Sequence, residues 1–139
     1  MISYKKAILP KGFKASGISS GIKKSGKLDL ALFFSESPAK CAGMFTTNSM
    51  PAAPVIFDKA SIKKYSGFRA IIANSGNANC FTAKAGLADA HIIAASLAKE
   101  LNINKAEVLV ASTGIIGKRF PVAKIKSGLP GLIKDLSVN

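Results

Sequence analysis

Apolar and polar positions along the chain divide into short extended runs in the first half and longer helical stripes in the second. From Lys11 to Ser25, Phe13, Ala15, Gly17 and Ser19 alternate with Lys14, Ser16 and Ile18. That mixed alternation predicts an irregular edge strand, or two strands joined by a bulge at the glycines. After a turn at Ser25-Gly26-Lys27, the run Leu28-Asp29-Leu30-Ala31-Leu32-Phe33-Phe34 is too short for a typical helix and apolar enough for a buried strand. The two runs predict an antiparallel pair. Ala42 to Thr47, between the breaks at Ser37-Pro38 and Met50-Pro51, predicts a third strand. Pro54-Val55-Ile56-Phe57 reads as extended, and Lys59 to Tyr65 as one or two helical turns before Ser66-Gly67.

Phe68 to Ala73 predicts a strand, and Asn74-Ser75-Gly76-Asn77-Ala78-Asn79 a shaped loop of turn-forming residues. The clearest helix runs from Ala85 to Asn102. Leu87, His91, Ala94, Ala98 and Leu101 form its apolar stripe, with Lys84, Asp89, Lys99 and Glu100 outward. Glu107 to Ala111 predicts the next strand. Pro121 at a helix start, followed by Val122, Ile125, Leu129, Leu132 and Leu136, predicts a last helix that Gly128, Pro130 and Gly131 should break, with no closing strand after it.

Apolar residues that are mostly Ala, Ile and Leu, with only 7% aromatics and no Trp, suit an α/β layer architecture better than an aromatic-rich sandwich. The chain's 139 residues, 48% hydrophobic, suit one domain with a real core. No apolar run approaches the roughly 18 residues that would cross a bilayer, so no membrane partner is expected. Lys5, Lys6, Lys11, Lys14, Lys23 and Lys24 precede the first acid, Asp29, but Pro10, Gly12, Gly17, Gly21 and Gly26 interrupt them, unlike a targeting segment. A cytoplasmic location is the expectation. Cys41 and Cys80 form no C-x-x-C pair and lack a cluster of histidines, so both should be small buried hydrophobes and no metal site is expected.

A net charge of +13 raises the alternative of a basic nucleic-acid-binding module. The lysines are dispersed, only Arg69 and Arg119 are arginines, and no aromatic interleaving accompanies them. A solvated lysine surface, with no nucleic-acid partner, is the better reading.

The tract Val108-Leu109-Val110-Ala111-Ser112-Thr113-Gly114-Ile115-Ile116-Gly117 runs a buried-type strand into a hydroxyl and two glycines. A Thr113 hydroxyl and the Gly114 N–H could meet one oxygen, which is what acyl transfer requires as negative charge develops on a carbonyl. On spacing alone the same letters also make an ordinary turn. The Asn74–Asn79 loop could contact a polar substrate or brace a strand end. His91 lies on the apolar stripe and receives no catalytic role. One histidine makes no triad with Ser19, Ser20, Ser75 or Ser112, and no phosphate-loop or dinucleotide fingerprint is present.

Several motifs in order carry a resemblance: Pro10-Lys11-Gly12-Phe13, Gly21-Ile22-Lys23, Leu28-Asp29-Leu30-Ala31-Leu32, Gly43-Met44-Phe45-Thr46-Thr47-Asn48, Asn74-Ser75-Gly76-Asn77-Ala78-Asn79 and Ser112-Thr113-Gly114-Ile115-Ile116-Gly117. Together they resemble the N-terminal part of the ornithine acetyltransferase (glutamate N-acetyltransferase) family of arginine biosynthesis. The resemblance implies an incomplete α-β-β-α sandwich, residues 1–139 being the single N-terminal (alpha-chain) portion of a longer self-processing precursor. It implies acetyl transfer from N-acetylornithine to glutamate through an N-terminal Thr, with Thr113 and Gly114 as the oxyanion hole. It also implies no bound cofactor, acetyl-CoA as an alternative acetyl donor, and a heterotetramer of two alpha and two beta chains in which the C-terminal chain is the partner. The paired threonines of the family's cleavage segment have no counterpart here, since Thr46-Thr47 belongs to the earlier motif. The 139-residue chain alone is therefore expected to be inactive. Cys80-Phe81-Thr82-Ala83 departs from the family's Ala-Cys-Thr-Gly wording. An N-terminal-nucleophile amidohydrolase on the same scaffold is the other enzyme reading.

Overall fold

The computed structural model describes residues 9–138, so Lys5, Lys6 and Asn139 lie outside the described residues. Its elements are β1 (Phe13–Ile18), β2 (Leu30–Ala39), α1 (Ala53–Lys64), β3 (Phe68–Asn77), α2 (Ala83–Leu101), β4 (Val108–Ile115) and α3 (Val122–Lys134). The four strands form one sheet in the order β1-β2-β3-β4. β1, β2 and β3 pair antiparallel, as expected for the first two. β3 and β4 pair in parallel, which demands a long crossover. The 19-residue α2 supplies it.

All three helices cover one face of that sheet. Strand side chains alternate between faces, and the buried ones, Leu30, Leu32, Ala70, Ile72, Val108 and Val110, share a parity. Leu32, Ile72 and Val110 stand opposite one another in a single rung. Phe57 of α1, Ala90, Ile93 and Leu97 of α2, and Ile125, Leu129 and Leu132 of α3 join the same cluster. Each fully buried Leu or Ile contributes roughly 1.5–3 kcal/mol of transfer free energy. On the other face Phe33 and Ile71 remain 48% and 40% exposed. The α/β class therefore holds, and among the described residues it comprises one sheet and one helical layer.

Several local expectations are corrected. Residues 42–47 form no strand and pair with neither edge of the sheet. Instead Thr46 Oγ1 accepts from Asn48 N–H, Asn48 Oδ1 accepts from Met50 N–H, and Met44 is fully exposed. Pro54 opens α1 rather than lying in an extended segment; proline is tolerated in a first turn, where no intrahelical donor is needed. The 74–79 tract is not wholly a loop, since β3 continues to Asn77. Cys41 and Cys80 are half-buried, not core residues.

The buried face of α2 is rotated from the expected stripe and comprises Gly86, Asp89, Ala90, Ile93, Ala94, Leu97 and Ala98. His91 is exposed, its ring edge-on to Phe57 at 4.8 Å. Desolvation, and then the Lys105 charge, hold its imidazole below the ordinary value. Asp89, expected outward, is inside. The last helix is unbroken: Pro130 and Gly131 sit on its exposed side, and the burial of Ile125, Leu129 and Leu132 outweighs the lost backbone bond. After it, Ser137 exchanges backbone hydrogen bonds with Ala15, adding a bridge beside β1 that the hydropathy pattern does not foretell.

Candidate active site at the carboxyl end of β4

The expected pair, Thr113 and Gly114, occupies the last turns of the β3–β4 ladder, opposite Ser75 and Gly76. Both are exposed. Ser112 shares the helix-facing parity of Val110, so the alternation turns the Thr113 side chain to the open face. Strand alternation also sorts the amides. Val110 N–H leaves the sheet for Asp58 Oδ1 at 3.0 Å, whereas the Ile115 carbonyl accepts from Ala78 of the β3 side. In that phase the even-numbered Gly114 N–H belongs to the free outer edge of β4. An exposed hydroxyl and an edge amide on consecutive residues are two donors without a hydrocarbon cover.

Glycine is required here on two counts. Gly114 has φ of +129°, a region side chains avoid, and a Cβ on it would overlap the Gly76 carbonyl carbon and lie 2.6 Å from Asn77 N. Gly76, at φ of +105°, packs against Ile22. The two glycines let β3 and β4 approach where apolar packing has ended.

Asparagines hold this end of the sheet. Asn74 Nδ2 donates to the Asn77 carbonyl at 2.8 Å, and Asn77 Nδ2 donates to the Arg119 carbonyl at 3.1 Å. Asn77 Oδ1 accepts from Asn79 N–H, while Asn79 Nδ2 donates to the Gly86 carbonyl and Asn79 Oδ1 accepts from Thr82. All three side chains are buried. Of the two roles open to this tract, bracing is the one these bonds perform. Gly86 permits the contact, because a Cβ there would overlap Thr82 Oγ1 and Asn79 Oδ1.

Two carboxylates that the hydropathy pattern did not single out flank the site. Asp29, in the strand-like run before β2, is buried; its Oδ1 accepts from Ser20 N–H and Oγ, and its Oδ2 from Lys23 N–H. Burial alone would raise its pKa, but the Lys23 and Ser20 amides, the Ser20 hydroxyl and the Ile22 amide together hold it below the ordinary value. This anchors loop 20–23 beside Gly76. Asp89 Oδ1 takes Arg119 Nη2 at 2.9 Å, and Asp89 Oδ2 is buried without a hydrogen-bond partner. Desolvation raises the Asp89 carboxyl and the Arg119 charge partly offsets it. The signal that could have found Asp89 is the row of small residues Gly86, Ala90 and Ala94 at four-residue steps, which Asp89 adjoins.

Among the described residues no group of His, Cys, Asp or Glu is arranged to hold a metal, and no helix is long and apolar enough to cross a membrane.

Comparison with known proteins identifies the family of this fold. The ArgJ family profile matches residues 14–139. The arginine biosynthesis bifunctional protein ArgJ of Thermotoga neapolitana is 47% identical over 130 residues, covering 93% of this chain and 32% of that protein. Its namesake in Gloeobacter violaceus is 47% identical over 123 residues, covering 88% and 30%. Ornithine acetyltransferase from Mycobacterium tuberculosis, solved in complex with ornithine, is similar with a TM-score of 0.89 and 41% identity, over 94% of this chain and 70% of that one. The arginine biosynthesis bifunctional protein of Bacillus halodurans gives 0.87 and 37%, over 93% and 66%. The chain spans about a third of the length of these curated relatives and corresponds to their N-terminal part. On the match of fold, order of motifs and identity, the chain belongs to the ArgJ family.

Proposed function

We propose that residues 1–139 are the N-terminal, alpha-chain portion of a self-processing glutamate N-acetyltransferase of arginine biosynthesis, in which Thr113 and Gly114 form the oxyanion hole. The observation that carries this reading is the exposed hydroxyl and outer-edge amide on consecutive residues at the end of β4. Donors fixed before the reaction stabilise a developing oxyanion by roughly 3 kcal/mol each. The nucleophile would be a threonine at the new N-terminus of the C-terminal chain. Its α-amine, with an ordinary pKa of about 7.7–8.0, is partly neutral near pH 7 and can accept the hydroxyl proton.

In the first half-reaction the threonine Oγ bonds to the acetyl carbon of N-acetylornithine. The carbonyl oxygen becomes negative between Thr113 and Gly114, the C–N bond breaks, and the amine leaves with the proton. In the second, the glutamate amine attacks the acetyl ester and releases the threonine. The acyl-enzyme makes the route ping-pong. Acetyl-CoA serves as an alternative donor, with a thiol as leaving group, and no cofactor stays bound. On the same reading the working assembly is cytoplasmic and joins two alpha with two beta chains.

The test compares the 139-residue chain with the same region joined to the remaining two-thirds of a relative's length. The longer polypeptide should cleave itself and convert N-acetylornithine and glutamate to ornithine and N-acetylglutamate; the short chain should not turn over. Transfer by the short chain alone would overturn the division of labour. Release of acetate at the same rate without glutamate would instead identify an amidohydrolase.

A further inference from the structure

From Thr113 to Arg119 every residue is exposed, and burial resumes only at Phe120. Hydrophobic packing does not hold this stretch. Gly114 is its softest point, because a glycine at φ of +129° has no side chain to limit rotation about its backbone bonds. Its N–H keeps one direction only if the chain on both sides is tied. On the strand side the β3–β4 ladder does that, and beyond Gly114 the ties are polar. The Ile115 carbonyl accepts from Ala78 N–H at 3.0 Å, and Gly117 N–H donates to the Cys80 carbonyl at 2.8 Å. Asn77 Nδ2 donates to the Lys118 and Arg119 carbonyls at 3.4 and 3.1 Å. These partners lie in one short stretch at the end of β3, which Asn79 braces to the Gly86 carbonyl of α2. The last tie bypasses that stretch: Arg119 Nη2 donates directly to Asp89 Oδ1 on α2 at 2.9 Å.

Core stability does not account for a carboxylate at position 89. The Asp89 side chain is 2% exposed on the buried face of α2, and its Oδ2 has no hydrogen-bond partner among the described residues. A buried carboxylate with an unused oxygen costs stability, and an apolar residue of similar size would remove that cost. Its partner would lose little, since the Arg119 side chain is 66% exposed and water would receive it. What the pair supplies is a fixed separation. On one side stands a packed helix, and on the other the turn that leaves Gly114.

We propose that Asp89 and Arg119 are positioning residues, whose ion pair locks the 115–119 turn to α2 and so holds the Gly114 N–H in register with the Thr113 hydroxyl. The proposal rests on the acyl-transfer reading above and adds to it two residues that touch no reacting atom. Loosening the pair leaves substrates bound but lets the amide stray from the developing oxyanion. The cost then falls on kcat and not on KM.

The experiment follows Asp89→Val, Asp89→Asn and Arg119→Ala in the complete polypeptide by steady-state kinetics, urea unfolding and amide hydrogen exchange. Asp89→Val should lower kcat roughly 10- to 100-fold, with each KM changed less than about twofold and a urea midpoint at or above the parent's. Asp89→Asn keeps an oxygen for Arg119 and should recover part of that rate. Arg119→Ala should match Asp89→Val in kcat yet lower the midpoint, because it strands a buried charge. Lys118→Gln takes a charge from the same turn and spares the pair, so its kcat should stay within about twofold of the parent's. In Asp89→Val the Gly117 amide should exchange about 10-fold faster, while the Ile93 and Leu97 amides of α2 keep their protection. An unchanged kcat, a rate lost only in step with the midpoint, an equal loss in Lys118→Gln, or unchanged exchange at Gly117 overturns the proposal. A parent polypeptide without acetyl transfer refutes the proposed enzyme, and exchange at Gly117 then still decides whether the pair holds the turn.

Discussion

The two ends of the β3–β4 pair share one ladder and differ in what surrounds it. At the amino end of β4, Val108, Leu109 and Val110 are buried, and the edge amide of Val110 is taken up by Asp58 of α1. At the carboxyl end, Thr113, Gly114 and Ile115 are exposed and buried asparagines do the holding. Hydrocarbon fills space but aims nothing. Amide side chains can fix a backbone while leaving neighbouring donors outward, so the change of support along a single strand separates frame from site.

The sharpest way to break the contrast is Gly114→Ala. A side chain at φ of +129° overlapping Gly76 has no relaxed position, so the loss of stability should exceed about 4 kcal/mol. Urea unfolding measures it, and the acetyl-transfer rate of the complete polypeptide should vanish with it. Thr113→Ala in that polypeptide should lower kcat by roughly 10- to 1000-fold while moving stability by no more than about 0.5 kcal/mol. An unchanged kcat removes the hydroxyl from the mechanism.

Val108→Ala should do the reverse. It removes two methyl groups from a fully buried position, costing about 2 kcal/mol, and should leave kcat/KM intact. Comparable losses of rate from Val108→Ala and Thr113→Ala would dissolve the distinction between the two ends.

The smallest effect sharpens the amino end. Burial pushes the Asp58 carboxyl up from 3.8 to about 6, even though the Val110 N–H favours its charged form. The folded state thus holds this proton more tightly than the unfolded chain. Its stabilisation is complete below pH 3.8 and is lost as pH rises through about 6. Asp58→Asn keeps an oxygen for Val110 N–H and removes the ionisation, so the urea midpoint should lose its downward slope across that interval. A slope identical to the parent's would assign the pH dependence elsewhere.

What could be read from the letters follows the same division. The run 28–34, the hydrophobic run from Phe68 and the strand before Ser112 all announce themselves as short, nearly continuous apolar stretches bounded by turn residues, the signature of strands buried in a core. The Thr113–Gly114 position was legible as a strand running into small residues. Its flanks were not. Residues 42–47 have strand-forming letters but no neighbour to pair with, and pairing is not written in the segment itself. Asp89 and Asp29 look like surface acids until Arg119 and the 20–23 amides are brought to them from 30 and 6–9 residues away. Helix phase failed for a similar reason: the small residues Gly86 and Ala90 face inward because neighbouring elements come close, a choice made by tertiary approach rather than by hydrophobicity.

The uncovered face of the sheet has a bearing on handling. Phe33 and Ile71 are exposed neighbours on one rung, with no helix above them among the described residues. Water against such a plane is a standing incentive for chains to adhere to one another, in spite of the repulsion among so many lysines. In dilute, low-salt solution the charges should keep molecules apart; as salt screens them, clumping should set in, and a covering chain supplied during refolding should suppress it.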